Sequence, residues 1–269
     1  MSDNDPTVLV DTPHQGLRRI RLNRANKRNA FNASIIGELS TAIEAAAQDN
    51  DVRAVLLAAE GKHFSAGADL EWMQSTAAMT AEENRQDALA LAHLMRLLDE
   101  CPKPTLTRVQ GAAFGGALGL ICCSDIAIAA TDARFCLSEV RLGLVPATIG
   151  PYVVRTLGQR QARRYMLSAE LIEAEQAHSL GLIHELAAPG ALDERVEAMA
   201  AQLMQAGPEA QAECKHLVRR LHDPAADDGV DEFTASIIAR VRTDTEGQEG
   251  LRAFMQKETP AWRKAGAHE

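Results

Sequence analysis

Residues 63–70 read His63-Phe64-Ser65-Ala66-Gly67-Ala68-Asp69-Leu70, and residues 111–119 read Gly111-Ala112-Ala113-Phe114-Gly115-Gly116-Ala117-Leu118-Gly119. Each stretch follows a short apolar run with strand character, residues 52–58 before the first and 105–109 before the second. Small residues let another group approach the main chain closely. Backbone N–H groups at such bends, above all where a helix starts, can stabilise negative charge developing on an oxygen. Two such loops suggest two donors converging on one oxygen. The same glycines also suit tight helix–strand packing, and residue type alone does not separate the two.

Outward from these loops, strand and helix signals alternate. A first strand, a turn at His14-Gln15-Gly16 and a second strand through Leu17, Ile20 and Leu22 open the chain. Asn32 can cap a helix in which Ile35, Leu39 and Ile43 recur every four residues. A second helix is predicted over residues 81–99, with Ala88, Leu91, Met95 and Leu98 on one face, stopped by Pro102 and Pro104. The 111–123 stretch begins as a glycine loop and becomes a helix, and residues 126–129 form another short strand. The alternation predicts an α/β fold with a parallel or mixed sheet covered by helices. Beyond residue 167 the pattern turns helical: 174–180, 192–205, 208–221 and 230–257, interrupted by one strand at 183–186. The acidic stretch 223–231 reads as an exposed loop.

Composition excludes several classes. The chain has 269 residues, 46% hydrophobic and 24% charged, which is ordinary for a globular enzyme and foreign to a disordered or fibrous protein. At this length roughly 75% of the unfolded surface is buried on folding, so no disulfide or metal staple is needed. A net charge of -9 and a pI near 5.4 argue against nucleic-acid affinity, and 4% aromatics against base stacking. Five cysteines without a Cys-x-x-Cys pair predict reduced thiols and a cytoplasmic setting. The acidic start Met1-Ser2-Asp3-Asn4-Asp5-Pro6 is unlike a signal peptide. The longest apolar run, 111–123, is too short to span a bilayer, so no membrane is expected.

The rival chemistries lack their motifs. Gly111, Gly115, Gly116 and Gly119 do not form Gly-x-Gly-x-x-Gly, and no Walker lysine follows either loop. The eight histidines are scattered without metal-ligand spacing, so no metal is expected. Neither Ser65 nor Ser138 sits in Gly-x-Ser-x-Gly, against a serine hydrolase. Glu139, in Phe135-Cys136-Leu137-Ser138-Glu139-Val140-Arg141-Leu142-Gly143, has apolar neighbours. A carboxylate so placed has a raised pKa and can exchange protons near neutrality. A salt bridge to Arg141 or another cation is the other reading.

Taken in order, the fragments resemble the crotonase family, the enoyl-CoA hydratase and isomerase superfamily, over nearly the whole chain. Asn29-Ala30-Phe31-Asn32 is similar to its early Asn-Ala-Leu-Asn segment, and Phe64-Ser65-Ala66-Gly67-Ala68-Asp69 to its Phe-[Ser/Ala]-Ala-Gly-Ala-Asp loop. Gln110-Gly111-Ala112-Ala113-Phe114-Gly115-Gly116 is similar to its second oxyanion loop, and Ser124-Asp125-Ile126-Ala127-Ile128-Ala129 to its Cys-Asp-Ile strand. The resemblance implies the α/β crotonase (ClpP/crotonase-like) fold. Residues 1–190 would form a ββα-spiral core with the active site, and residues 191–269 a helical trimerisation region. It implies an acyl-CoA thioester as substrate, with coenzyme A part of that substrate and no separate cofactor. The amides of Ala66 and Gly116 would hold the thioester oxygen, and Glu139 would be the catalytic acid–base. Lys27, Gly67, Ala68, Asp69, Gly115, Gly119, Phe254 and Lys257 would line the substrate and CoA site, the last two reaching a neighbouring subunit of a homotrimer or hexamer.

One departure matters. Typical hydratases of the family carry two glutamates, and the first falls where this sequence has Gly119. Single-glutamate members include Δ3,Δ2-enoyl-CoA isomerases and hydratases of unusual acyl chains. The segments from Phe64 to Gln74, Gln110 to Leu120, Cys136 to Leu144 and Glu246 to Phe254 resemble bacterial methylglutaconyl-CoA hydratases of leucine catabolism most. A group acting on isohexenylglutaconyl-CoA is a near alternative. The distal carboxylate of such substrates needs a cation, for which Arg141 is a candidate, a surface salt bridge being its other reading. A relative of the methylglutaconyl hydratases binds RNA, but the matching helix here, 34–50, has Glu38 and Glu44 and no Lys or Arg.

Overall fold

The strand Ala54–Ala59 (β3) is buried at every position, as a central strand covered on both faces must be. The computed structural model describes residues 6–221 and 229–264. Val8–His14 (β1) and Leu17–Leu22 (β2) form an antiparallel hairpin, and β2 pairs in parallel with β3. Thr105–Val109 (β4), Ile126–Ala130 (β6) and Glu185–Ala187 (β9) continue the parallel run, giving six strands in the order β1-β2-β3-β4-β6-β9. A second sheet of three short strands, Ala112–Phe114 (β5), Arg134–Cys136 (β7) and Ile172–Glu173 (β8), stands beside it.

Helices cover the large sheet on both faces. Ala33–Gln48 (α1), capped by Asn32 on the Ile35 amide, buries Ile35, Leu39 and Ile43, and Ala81–Asp99 (α3) buries Leu94, Met95 and Leu98 in the same core. On the opposite face Leu192–Leu203 (α7) sets Leu192, Val196 and Ala200 against Leu17, Leu56, Leu106 and Ile128. Thus α7, grouped by sequence with the C-terminal helices, is part of the sheet's cover. Pro208–Leu221 (α8) and Val230–Thr243 (α9) have no buried residue.

Some elements differ from the sequence expectation. Residues 230–257 are two helices, α9 and Thr245–Gln256 (α10), because Asp244 is extended and its carboxylate caps the Gly247 amide. Leu70–Ala77 (α2) and Gly150–Ser168 (α5) have no counterpart in that reading, and Gly116–Cys123 (α4) begins only after β5. Residues 1–5, and residues 223–228 of the expected acidic loop, lie outside the described residues, whereas Asp231 opens α9.

Candidate active site

The two glycine loops are zipped together by backbone hydrogen bonds. Phe64 N–H donates to Gln110 O (2.8 Å), Ser65 N–H to Ala112 O (3.0 Å), and Phe114 N–H to Ser65 O (3.0 Å). The first loop is also tied to residues 28–31, with Phe31 N–H donating to Gly67 O (2.7 Å) and Asp69 N–H to Phe31 O (2.8 Å). Asn29, fully buried in the left-handed region at φ 54°, anchors that side by donating to Glu60 O and His63 O.

This lacing decides which amides are open. Ala66 N–H, the expected first oxyanion donor, is already given to Arg28 O at 3.0 Å. Gly67 N–H leans on Ser65 Oγ at 3.3 Å. In the parallel bridge of Phe31 with Ala68 the flanking groups make the bonds, so the Ala68 N–H points away from Phe31. Among the described residues it has no acceptor. Gly116 N–H, the first of α4, also has none, as helix geometry requires of a first-turn amide. The open pair is therefore Ala68 and Gly116, whereas the Ala66 amide expected to be free is already bonded.

Glu139 lies against Gly115 of the second loop. It opens the single turn Glu139–Leu142, held by Leu144 N–H on its carbonyl (3.1 Å). A Cβ placed on Gly115 would lie 3.3 Å from Glu139 Oε1 and 3.7 Å from Gly67 Cα. At φ 56° a side chain on Gly115 would be strained, and its Cβ would crowd the Glu139 carboxylate. Glu139 Oε2 is buried without a hydrogen-bond partner. Burial pushes its pKa above the ordinary carboxylate value. The salt-bridge reading fails, because Arg141 Nη2 instead donates to Ala169 O. Beyond Glu139 the exposed Leu142, Leu144 and Val145 form an apolar rim.

The other expected site residues scatter in role. Asp69 caps α2 on the Glu71 and Trp72 amides and pairs with Arg24 (2.9 Å). Burial alone would raise its pKa, but the Arg24 hydrogen bond, the two amides and the Arg24 charge outweigh this and lower it. Lys27 Nζ sits at the surface 2.8 Å from Glu71 Oε1. Phe254 is 84% exposed, and Lys257 ends α10 in the left-handed region. Gly119 does not face the open pair of amides. It is buried under Ile149 and Met95, and a Cβ there would land on Ile149 Cγ2 and within 2.8 Å of Met95 Sδ. Sequence reasoning missed Arg24 as the partner of Asp69 and missed Ile149. Nothing in their spacing announces either. Among the described residues no group of three His, Cys, Asp or Glu is arranged to hold a metal ion, and no helix is long and apolar enough to cross a membrane.

Comparison with known proteins bears on this geometry. A family described as enoyl-CoA hydratase/isomerase matches residues 12–265. A Thermus thermophilus protein is 34% identical over 253 residues, covering 94% of this chain and 99% of that one. A crotonyl-CoA hydratase of Syntrophomonas wolfei is 31% identical over 201 residues, covering 74% of this chain and 76% of its own length. The crystal structure of an enoyl-CoA hydratase from Shewanella pealeana superposes with a TM-score of 0.92 at 47% identity, covering 95% of this chain and 96% of that one.

Proposed function

The chain belongs to the enoyl-CoA hydratase/isomerase family, and from that premise we propose that it adds water across the α,β double bond of a branched enoyl-CoA. The substrate we favour is 3-methylglutaconyl-CoA of leucine catabolism, which hydration converts to 3-hydroxy-3-methylglutaryl-CoA. The observation that carries the reading is the half-buried Glu139, its Oε2 buried without a partner and its Oε1 beside Gly115, the residue before the open Gly116 amide. The thioester oxygen accepts hydrogen bonds from the Ala68 and Gly116 N–H groups. Glu139 takes a proton from water, and the hydroxyl forms the new bond at Cβ. The double-bond electrons move through Cα onto the thioester oxygen, whose charge the two amides and the start of α4 stabilise. When the enolate collapses, Glu139 returns the proton to Cα. Water and substrate balance the reaction, so no separate cofactor is required. Arg141 keeps unused guanidinium donors that can meet the distal carboxylate. Lys27 can exchange Glu71 for a CoA phosphate, and Phe254 and Lys257 serve a neighbouring copy in a homotrimer or hexamer of a cytoplasmic enzyme.

A second reading is favoured by one observation: position 119, where a second glutamate would fall, is a glycine packed under Ile149 and Met95. A double-bond isomerase needs only one base, which lifts a proton from one carbon and returns it to another. The test is loss of the conjugated enoyl-thioester absorbance, with 3-methylglutaconyl-CoA, isohexenylglutaconyl-CoA and crotonyl-CoA side by side in oxygen-18 water. Preference for 3-methylglutaconyl-CoA with label in the product is expected. Preference for isohexenylglutaconyl-CoA would move the substrate assignment. Turnover of a Δ3 substrate without label would replace hydration by isomerisation.

A further inference from the structure

Gly115 precedes α4 and Gly119 lies within it, and the segment that carries Glu139 packs against both. Gly115 is the non-helical residue that leads into α4, and Gly119 is in its first turn. Glu139 Oε1 lies 3.3 Å from where a Gly115 side chain would begin, and Ile149 Cγ2 occupies that position at Gly119. Ile149 is 1% exposed and immediately precedes α5, whose first turn it joins by accepting the Val153 N–H at 3.0 Å. At its other end the segment is pinned by Gly115 N–H on Cys136 O at 2.9 Å. Between these two fixed points lie Glu139 and the exposed residues 142–145.

We infer that Ile149 is a positioning residue for Glu139: its β-branch, seated in the Gly119 notch, fixes the 136–149 segment in register with α4. The helix that presents the Gly116 amide therefore also locates the acid–base. The inference deepens the proposed function and rests on its reading of Glu139. A register error of a fraction of a helical turn moves the carboxylate away from the reacting carbons, and misplacement of about 1 Å can cost on the order of a hundredfold in rate. It also gives the missing first glutamate a structural reason. A larger residue at 119 would compete with the atoms that place Glu139.

Two substitutions of similar bulk separate positioning from packing. Ile149→Val keeps Cβ and Cγ2, the atoms that face Gly119. Ile149→Leu keeps the volume but has no branch at Cβ. We expect Ile149→Leu to lower kcat about tenfold or more with KM little changed. The acid limb of its kcat/KM profile should move toward the ordinary carboxylate value as Glu139 gains solvent. Ile149→Val should keep both kcat and that limb. Gly119→Ala should behave like the leucine variant, and Ile149→Ala in the Gly119→Ala background should recover part of the loss. Equal effects of Leu and Val on kcat, or losses that merely follow the urea midpoint, would overturn the inference. Glu139→Gln, measured alongside, keeps the two readings apart. If it retains turnover, the acid–base role itself fails; if it is inactive while Leu and Val behave alike, only the positioning role fails.

Discussion

Residues 63–70 and residues 136–149 each carry one carboxylate, Asp69 and Glu139, and the two are treated in opposite ways. Asp69 is 4% exposed, yet every demand of its charge is met by Arg24 and by the first amides of α2. Glu139 is half-buried, and its Oε2 is withdrawn from water without a partner. The environment lowers one pKa and raises the other. A satisfied buried carboxylate holds a loop in place; an unsatisfied one is poised to take up a proton. Conformity to a family motif did not distinguish them, since both residues sit in matching segments.

The largest expected effect breaks the second half of that comparison. Glu139→Gln should lower kcat by about 10²–10⁴-fold in the enoyl-thioester absorbance assay. Because the base must be ionised, wild-type kcat/KM should fall as the pH drops through the Glu139 pKa, above the ordinary 4.5. The same raised pKa has a stability consequence of defined sign. The protonated form is favoured by folding, so this contribution is complete below the ordinary value and is lost as the pH rises through the folded one. Glu139→Gln should therefore raise the urea midpoint at neutral pH while it removes activity. A fall in both would show that the carboxylate also holds the fold.

Asp69→Ala should do the reverse. It leaves Arg24 charged and little exposed (16%) and uncaps α2. The expected loss is about 3 kcal/mol of stability, read from the urea midpoint. The sign of its pH dependence is also opposite. The stabilisation is complete above the ordinary 3.8 and is lost as the pH falls through the lowered folded value. An unchanged midpoint would mean that Arg24 finds another partner and that the loop is held by its backbone bonds alone.

What could be read from sequence divides along the same physical line. The apolar runs became β3, β4 and β6, and Asn32 caps α1 as its residue type and position imply. The two glycine loops meet each other, and Glu139 lies beside Gly115 of the second. That Ala68 rather than Ala66 offers the open amide turns on which of the successive amides is already bonded. Arg28 and Phe31 decide that from outside the loop. The Arg24–Asp69 pair spans 45 residues and leaves no local periodicity to detect. In α5 the buried positions Val153, Leu157, Ala162 and Tyr165 are interrupted by Gly158, which is non-helical at φ 71°, and this breaks the pattern by which a helix is recognised. The Gly119 notch was legible only as a departure from a family pattern, because its meaning lies in Ile149.

Smaller effects test the floor of the site. A Cβ at Gly116 would lie 3.0 Å from two ring carbons of Phe31, whose own backbone holds Gly67 and Asp69. Gly116→Ala should therefore disturb both open amides at once, lowering kcat by about tenfold, below the 10²–10³ expected for deleting a donor outright. If KM rises instead with kcat unchanged, the amides bind ground state and transition state alike.

The least expected effect lies at the outer edge of the first loop. Lys27 and Glu71 form an exposed pair at 2.8 Å. An exposed pair contributes little to folding, so Lys27→Ala should leave the urea midpoint unchanged. If the lysine exchanges Glu71 for a CoA phosphate, KM for the thioester should rise a few fold, with kcat untouched. That rise should shrink as salt screens the charge. Glu71→Gln then supplies the decisive contrast. Removing the competing carboxylate frees Lys27 for the phosphate and should lower KM, whereas a lysine that only decorates the surface gives no change in either variant.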